Sequence, residues 1–441
     1  MIISFSLENW MSFRDPVTFS MLATEERRHR GRIAKLGKYQ TKVLPIAAVY
    51  GGNASGKSNL FKALNFAKSL VVNITQLDEA IPVQTFCLDA DRADQPARFA
   101  FELLIDEVIY DFSFAVTGTA VVEEQLVKIT GEQEEVLYSR PGRPPEAPSL
   151  QVVFHGTRDN QLFLTNSVSQ KVSAFRPVYD WFKDTLKLVS PDSSPGLLST
   201  VLNGPLSHTM NELLQQLDTG IVDMSGEEVP LEHISFSLPD TLKHEIQKNL
   251  KEGATATVRD PLSQTGGLTI LFVTRKGEKL IAKKLMTSHR KTDGTEAKFE
   301  MHQESDGTLR VIELLPVFLD LSDNTSNRVY VIDEIDRSLH TLLTRRLLQG
   351  YLDGCSAKTR SQLLLTTHDV LLMDKELLRH DEMWVTERDA AGASTLFSFS
   401  EYKEADKDKD IRKSYLQGRL GGIPHILLHS PLQHSGTEEA E

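Results

Sequence analysis

Near the start of the chain, Gly51-Gly52-Asn53-Ala54-Ser55-Gly56-Lys57-Ser58 sets two glycine-rich turns ahead of a lysine and a hydroxyl. That spacing, G-x-x-x-x-G-K-[ST], suits phosphate binding. Glycines let the main chain curl so that successive N–H groups aim at phosphate oxygens, and a following helix adds the positive end of its dipole. Lys57 can reach the β- and γ-phosphates, and the Ser58 hydroxyl can ligate Mg²⁺. Ile46-Ala47-Ala48-Val49-Tyr50 reads as the strand before the loop, and Asn59-Leu60-Phe61-Lys62-Ala63-Leu64 as the helix after it. Gly51, Gly52, Asn53, Ala54, Ser55, Gly56, Lys57, Ser58 and Asn59 are therefore the candidate nucleotide-binding residues, with ATP and Mg²⁺ as the expected ligands.

A second constellation lies far downstream. Val329-Tyr330-Val331-Ile332 is a short apolar run with two carboxylates, Asp333 and Glu334, at its end. Ligand sites in parallel sheets sit at the C-terminal ends of strands. Asp333 is expected to hold Mg²⁺, directly or through water, and Glu334 to orient or deprotonate the attacking water. Consecutive strand residues face opposite ways, which separates the two roles. A third run, Leu363-Leu364-Leu365-Thr366-Thr367, ends in His368-Asp369, and His368 fits a sensor of the γ-phosphate. Between them, Glu304-Ser305-Asp306-Gly307-Thr308-Leu309-Arg310 precedes an apolar helical stretch from Val311 to Leu319. Ser305 and Gly307 would form an anion-binding helix N-terminus. The segment resembles a degenerate ABC signature, with Asp306 where the usual Leu-Ser-Gly-Gly-Gln has its first glycine.

Composition bounds the remainder. The 441 residues can bury a large core. Asp and Glu outnumber Lys and Arg by 61 to 49, so there is no global basic field for nucleic acid, and nucleic acid stays a candidate partner only through local patches. Cys87 and Cys355 are isolated and form no ligand cluster, which points to a reducing compartment. No signal peptide and no apolar run of membrane-spanning length are read, so a cytoplasmic location without a membrane partner is expected.

The motif order resembles that of ABC-type ATPases of the SMC/RecF/OLD group. Asn9-Trp10-Met11-Ser12-Phe13, the phosphate loop, Glu304-Ser305-Asp306-Gly307-Thr308, Asp333-Glu334-Ile335-Asp336 with Ser338-Leu339-His340, Thr367-His368-Asp369, and Tyr415-Leu416-Gln417-Gly418-Arg419 with Pro424 narrow it. Together they are similar to stand-alone bacterial AAA ATPases described as ATP/GTP phosphatases, as in abortive-infection, RloA/RloB, PARIS and Septu-type defence systems. The resemblance implies an ATP-hydrolysing switch that works as a homodimer or higher homo-oligomer, with Ser305 and Gly307 of one copy completing the site of another. Lys57, Glu334 and His368 would be its catalytic residues, and Ser58 and Asp333 its metal ligands. It also implies a separate effector, a nuclease or RloB-like protein encoded nearby. The alternative is a RecF-like DNA-binding ATPase of repair or recombination. About 270 residues separate Ser58 from Val329 without a sustained heptad pattern, unlike SMC coiled coils. Only about 70 residues follow His368, too few for the fused nuclease of OLD proteins.

The expected fold is α/β: an ABC-type P-loop ATPase with a mixed central sheet, an antiparallel β subdomain and an inserted helical arm or lid. Residues 1–165 would hold the N-terminal half with the β subdomain, where Phe99, Phe101 and Leu103, then Tyr110, Phe112 and Phe114, alternate as strands. Residues 166–260 read as the helical insertion. Val172, Phe175, Val178, Phe182 and Leu186 form one stripe, Met210, Leu213, Leu214 and Leu217 a second, and Leu242, Ile246 and Leu250 a third. Residues 261–426 would carry the C-terminal half, returning as a strand at Gly266–Val273, and 427–441 a disordered tail. Asp406, Asp408 and Asp410 imitate a calcium loop, but Ile411 and Gln417 stand where glycine and glutamate are needed. The basic candidates for nucleic acid are Arg27, Arg28, Arg30 and Arg32, with Lys283, Lys284, Arg290 and Lys291.

Overall fold

A computed structural model describes residues 1–191, 207–229, 250–251, 255–260, 269–277, 279–402, 411–419 and 421–422. Leu242 and Ile246 of the third stripe, Gly266–Leu268, the Asp406/Asp408/Asp410 run, Pro424 and the 427–441 tail lie outside the described residues.

The apolar runs flanking the motifs pair into one central sheet. Its six strands run in the order Leu186–Val189, Val329–Ile332, Gln362–Thr366, Ile46–Tyr50, Met383–Arg388 and Ser394–Ser398. The first five are parallel and the last is antiparallel, so the sheet is mixed as expected. The three middle strands are buried along their whole length, as a parallel sheet covered on both faces must be. Their residues alternate between two cores. Ala47, Val49, Val329, Val331 and Leu364 pack with the Lys57–Val72 helix. Ile46, Ala48, Tyr330, Ile332, Leu363 and Leu365 pack with the helices Asp306–Leu321 and Thr341–Gly354. The strand bearing the phosphate loop thus neighbours the one ending in His368, and that strand separates it from the Asp333–Glu334 strand.

The antiparallel subdomain is also present. Val17–Ser20, Ile2–Glu8, Ala97–Ile105, Val108–Val116, Val121–Thr130 and Gln133–Arg140 form six antiparallel strands. Phe99 pairs with Phe114 and Phe101 with Phe112, the cross-strand aromatic pairing that stabilises such sheets. Asp106 and Glu107 turn this hairpin with φ of 48° and 61°, matching the twist of the flanking strands.

The helical reading of residues 166–260 needs correction. The first stripe is helical at Arg176–Asp180 and continues as a π-helical turn over Trp181–Thr185, but Leu186 then opens an edge strand of the central sheet. The second stripe is a true helix, Ser207–Gln216, with Met210 and Leu214 fully buried. Beyond it the described residues are β: Ile221–Val229 and Thr255–Asp260 join Thr269–Lys276, Lys279–Arg290 and Glu296–Glu300 in a five-stranded antiparallel sheet. Ile221–Val229 lacks clean alternation, and its conformation comes from pairing with Lys279–Arg290, a tertiary determinant that propensity cannot supply.

The arginine cluster is divided, with Arg27 and Arg30 exposed, Arg28 half-buried and Arg32 buried. Arg32 is buried and pairs with Glu382, Arg28 Nε lies 2.6 Å from Glu26, and Arg30 donates to the Glu25 carbonyl at 2.9 Å. In the inserted sheet, Lys284 pairs with Glu300 at 2.5 Å, and Arg290 stands opposite Glu296. Among the described residues no helix is long and apolar enough to cross a membrane.

Candidate functional site

The phosphate loop is shaped by positions that tolerate no side chain. Gly51 has φ 153°, and a Cβ there would stand 2.6 Å from the Thr386 carbonyl oxygen. Gly56 has φ 115° and would meet Ser394 Oγ at 2.6 Å. Both demand glycine. Ala54, at the tip, also has positive φ. Lys57 opens the helix and is buried, its ammonium donating to the carbonyls of Gly51 at 2.8 Å and Gly52 at 2.9 Å. Burial lowers its pKa to about 8, against the opposing pull of Asp333 and Glu334. The Gly52 N–H donates to Gly422 O at 3.0 Å, and Tyr415 Oη donates to the same carbonyl at 2.9 Å. The Tyr415–Arg419 segment named with the motifs therefore reaches the loop through Gly422. Asn59 is held by the N-terminal segment: its side-chain amide donates to Ser12 Oγ at 2.8 Å, and its main-chain carbonyl accepts from the Trp10 indole at 3.0 Å.

The distant motifs converge on this loop. Ser58 Oγ donates to Asp333 Oδ1 at 3.3 Å. Thr366, on the strand between them, donates to the same oxygen at 2.6 Å and accepts from the Glu334 N–H at 2.8 Å. Asp333 is buried and Glu334 half-buried. Glu334 has φ 49°, a strained conformation that clusters at functional sites. Glu334 and His368 line one cavity of about 900 Å³ together with Asn53–Asn59. Burial first, and the charge of Lys57 second, push the His368 pKa below its usual value. The hydroxyl of Ser58 and the carboxylate of Asp333 form an all-oxygen donor pair, which fits Mg²⁺.

Ser305 and Gly307 do not join that cavity. The Ser305 hydroxyl caps its helix, accepting from Thr308 N–H at 3.1 Å, and a Cβ on Gly307 would stand 2.8 Å from Ser338 O. Arg310, about one turn into that helix, is buried and donates to the carbonyls of both Asp333 and Glu334 at 3.2 Å. Glu304, just before Ser305, accepts from His289 Nε2 at 2.7 Å and from the Thr287 hydroxyl, which ties the inserted sheet to the signature-like segment.

Sequence reasoning gave no role to Thr366, Arg310, or the remaining cavity lining of Gln84–Leu88, Arg388 and Gly392, while Met11 and Ser12, which also line it, belong to the Asn9–Phe13 motif. A polar residue closing an apolar strand was the available signal for Thr366. Gln84–Leu88, Arg388 and Gly392 carry no motif.

A phosphate loop, an acidic strand end and a histidine strand end ordered in this way across a mixed sheet define an ABC-type P-loop ATPase. The chain belongs to the family described as "AAA domain, putative AbiEii toxin, Type IV TA system", whose model matches residues 46–374, about three quarters of it. Among solved structures it aligns with the "SMC head domain from Thermotoga maritima" at 12% identity, covering 90% of this chain and 98% of that one with a TM-score of 0.37. It aligns likewise with the "SmcHead bound to the C-winged helix domain of ScpA" at 12% identity, 90% and 97% coverage and a TM-score of 0.34. Likeness at that level says nothing of partners or activity. No curated protein matches the chain in sequence.

Proposed function

We propose that this protein hydrolyses ATP with Mg²⁺ and acts as a nucleotide-driven switch. The observation that carries this is the convergence of Lys57, Ser58, Asp333, Glu334 and His368 on one site, although Ser58 and Asp333 are 275 residues apart in sequence. Lys57 releases its two loop carbonyls and binds the β- and γ-phosphates. Ser58 and Asp333 hold Mg²⁺, which when bound neutralises developing phosphate charge. Glu334 orients the attacking water and accepts its proton, and His368 donates a hydrogen bond to the γ-phosphate. Ser305 and Gly307, outside the cavity of their own chain, complete the site of a second copy, so the active form is at least a head-to-tail dimer.

The switch serves anti-phage defence by controlling a separate effector protein. The motif resemblance to abortive-infection ATPases and the description of the family as a putative AbiEii toxin support this reading. The repair alternative draws no support from Arg32, which is buried against Glu382, whereas Arg27 and Arg30 are exposed. Glu334→Gln should bind ATP, hydrolyse it at least about 100-fold more slowly, and accumulate as a dimer in sizing chromatography with ATP. A variant that hydrolyses at the parental rate removes Glu334 from the mechanism, and one that stays monomeric at high concentration with ATP bound removes the dimer. Capture of the gene neighbour's product by the tagged parent, lost in Lys57→Ala, tests the effector.

A further inference from the structure

The phosphate loop explains where a triphosphate goes but not what holds the rest of the nucleotide. Across the same cavity, Leu88 and Arg388 meet over Gly392. Gly392 has φ 82°, and a Cβ there would stand 2.5 Å from Leu88 Cδ1 and 2.9 Å from Arg388 Nη2. The positive φ favours glycine in this turn, and the ends of the two side chains close over it. The turn that presents it is itself fixed: Gly392 N–H donates to Asp389 O at 3.0 Å, and Ala393 N–H to Asp389 Oδ1 at 2.7 Å. Arg388 Nε donates to Gly392 O at 3.1 Å, which sets the guanidinium against the turn. Leu88 is 60% exposed, a large apolar side chain left at the cavity wall.

The result is a patch of methyl groups beside a planar cation. A guanidinium attracts the face of a π-system, and stacking of this kind tolerates every base because every base has a face. Three of the polar groups in the same lining are engaged within the protein. Thr85 Oγ1 donates to Ala93 O at 3.0 Å, Phe86 N–H to Asn9 Oδ1 at 3.2 Å, and Met11 N–H to Gln84 O at 2.7 Å. Those three are taken up by the protein and are not offered to the edge of a base.

We propose that Leu88 and Arg388 form a stacking platform for the purine base of a nucleoside triphosphate. The base is held by its face and is not read by its edge, so the site accepts ATP and GTP alike. This rests on the phosphate loop being the triphosphate site, and the test separates the two. Competition against a fluorescent ATP analogue is measured with ATP, GTP and inorganic tripolyphosphate, for the parent and for Arg388→Ala and Leu88→Ser, both at exposed positions. The parent should bind ATP and GTP within about fivefold of each other, and both about tenfold or more tighter than tripolyphosphate. Arg388→Ala should remove most of that advantage and leave tripolyphosphate affinity unchanged, whereas Lys57→Ala should weaken all three. Arg388→Lys, which keeps the charge but loses the plane, should fall between parent and alanine. Tripolyphosphate matching ATP in the parent, or an ATP advantage undiminished in Arg388→Ala and Leu88→Ser, overturns the platform. A preference for one purine above about 30-fold overturns edge-blind recognition. Failure of the parent to bind either ATP or tripolyphosphate removes the phosphate-loop reading, and the platform with it.

Discussion

Replacing Thr366 by valine keeps the shape of the side chain and deletes one hydroxyl. That hydroxyl stands between the two carboxylate positions, donating to Asp333 Oδ1 at 2.6 Å and accepting from the Glu334 N–H at 2.8 Å, and it is 4% exposed. A hydrogen bond to a charged group contributes about 1.5–3 kcal/mol, and a buried donor left unpaired costs about 1–3 kcal/mol. The two losses overlap in one small region, so a total of about 3 kcal/mol is expected. For a chain of 441 residues the unfolding entropy is roughly 0.9 kcal/mol/K, so the thermal midpoint should fall by about 3 °C. The effect on turnover should be larger in proportion. The Glu334 main chain sits at φ 49°, and Thr366 is one of the groups that hold it there. Displacement of a catalytic group by about 1 Å costs on the order of 100-fold. The expected outcome for Thr366→Val is therefore a modest melting shift, near-parental affinity for Mg²⁺-free ATP, and a kcat about two orders of magnitude lower. Thr366→Ser, which keeps the hydroxyl, should recover most of it. The assays are differential scanning fluorimetry, nucleotide binding and single-turnover phosphate release. Parental single-turnover rates in Thr366→Val would refute the argument that this hydroxyl positions Glu334, and equal losses in valine and serine variants would show that the hydroxyl is not sufficient without the methyl.

Further outcomes follow from buried charge. Lys57 has a pKa of about 8 before nucleotide binds, lowered by burial, so above pH 8 much of the free protein carries it neutral. Triphosphate restores the charge, so binding at about pH 8.5 should take up a fraction of a proton, seen by calorimetry in buffers of different ionisation enthalpy; Lys57→Arg, always charged, should take up none. Arg32→Met strands Glu382, which is fully buried and pushed up to about 7 by burial even beside the arginine. Loss of one partner of a buried pair costs about 3–5 kcal/mol. Because the folded pKa of Glu382 is raised, its charged form costs stability as pH rises through 7. The deficit of Arg32→Met should be greatest in alkaline buffer and shrink as the pH falls and the carboxyl protonates, which urea unfolding at several pH values measures.

The parts of the site legible in sequence were those whose chemistry is local. Gly51, Gly56, Lys57 and Ser58 act through one turn, and Asp333, Glu334 and His368 each close a run of apolar residues buried on both faces. Their partners were not legible because contact, and not spacing, defines them. Thr366 looks like the last residue of a strand until Asp333 and Glu334 are seen on either side of its hydroxyl. Arg32 looks like one charge in a solvated run until Glu382, 350 residues away, is placed beside it. The fold follows the same division. The Ile46–Tyr50 and Val329–Ile332 strands announce themselves by composition. Leu186–Val189 was absorbed into a helical stripe because its first leucine falls in helical register, and Ile221–Val229 becomes a strand through its neighbour.

The order of synthesis gives the central sheet a further consequence. The Ile46–Tyr50 strand is flanked by Gln362–Thr366 and Met383–Arg388, so both neighbours are translated more than 300 residues after it. At about 5–20 residues per second, a ribosome needs roughly 15–60 seconds to deliver them. During that interval the antiparallel sheet of residues 2–140 has all its strands and can close, while Ile46–Tyr50 waits with both edges open. An apolar strand in that condition is a template for pairing with other chains. The nascent protein therefore passes through a period in which holding this strand apart from its counterparts on neighbouring ribosomes, by chaperone or by the packing of its own following helix, decides how much of the product folds.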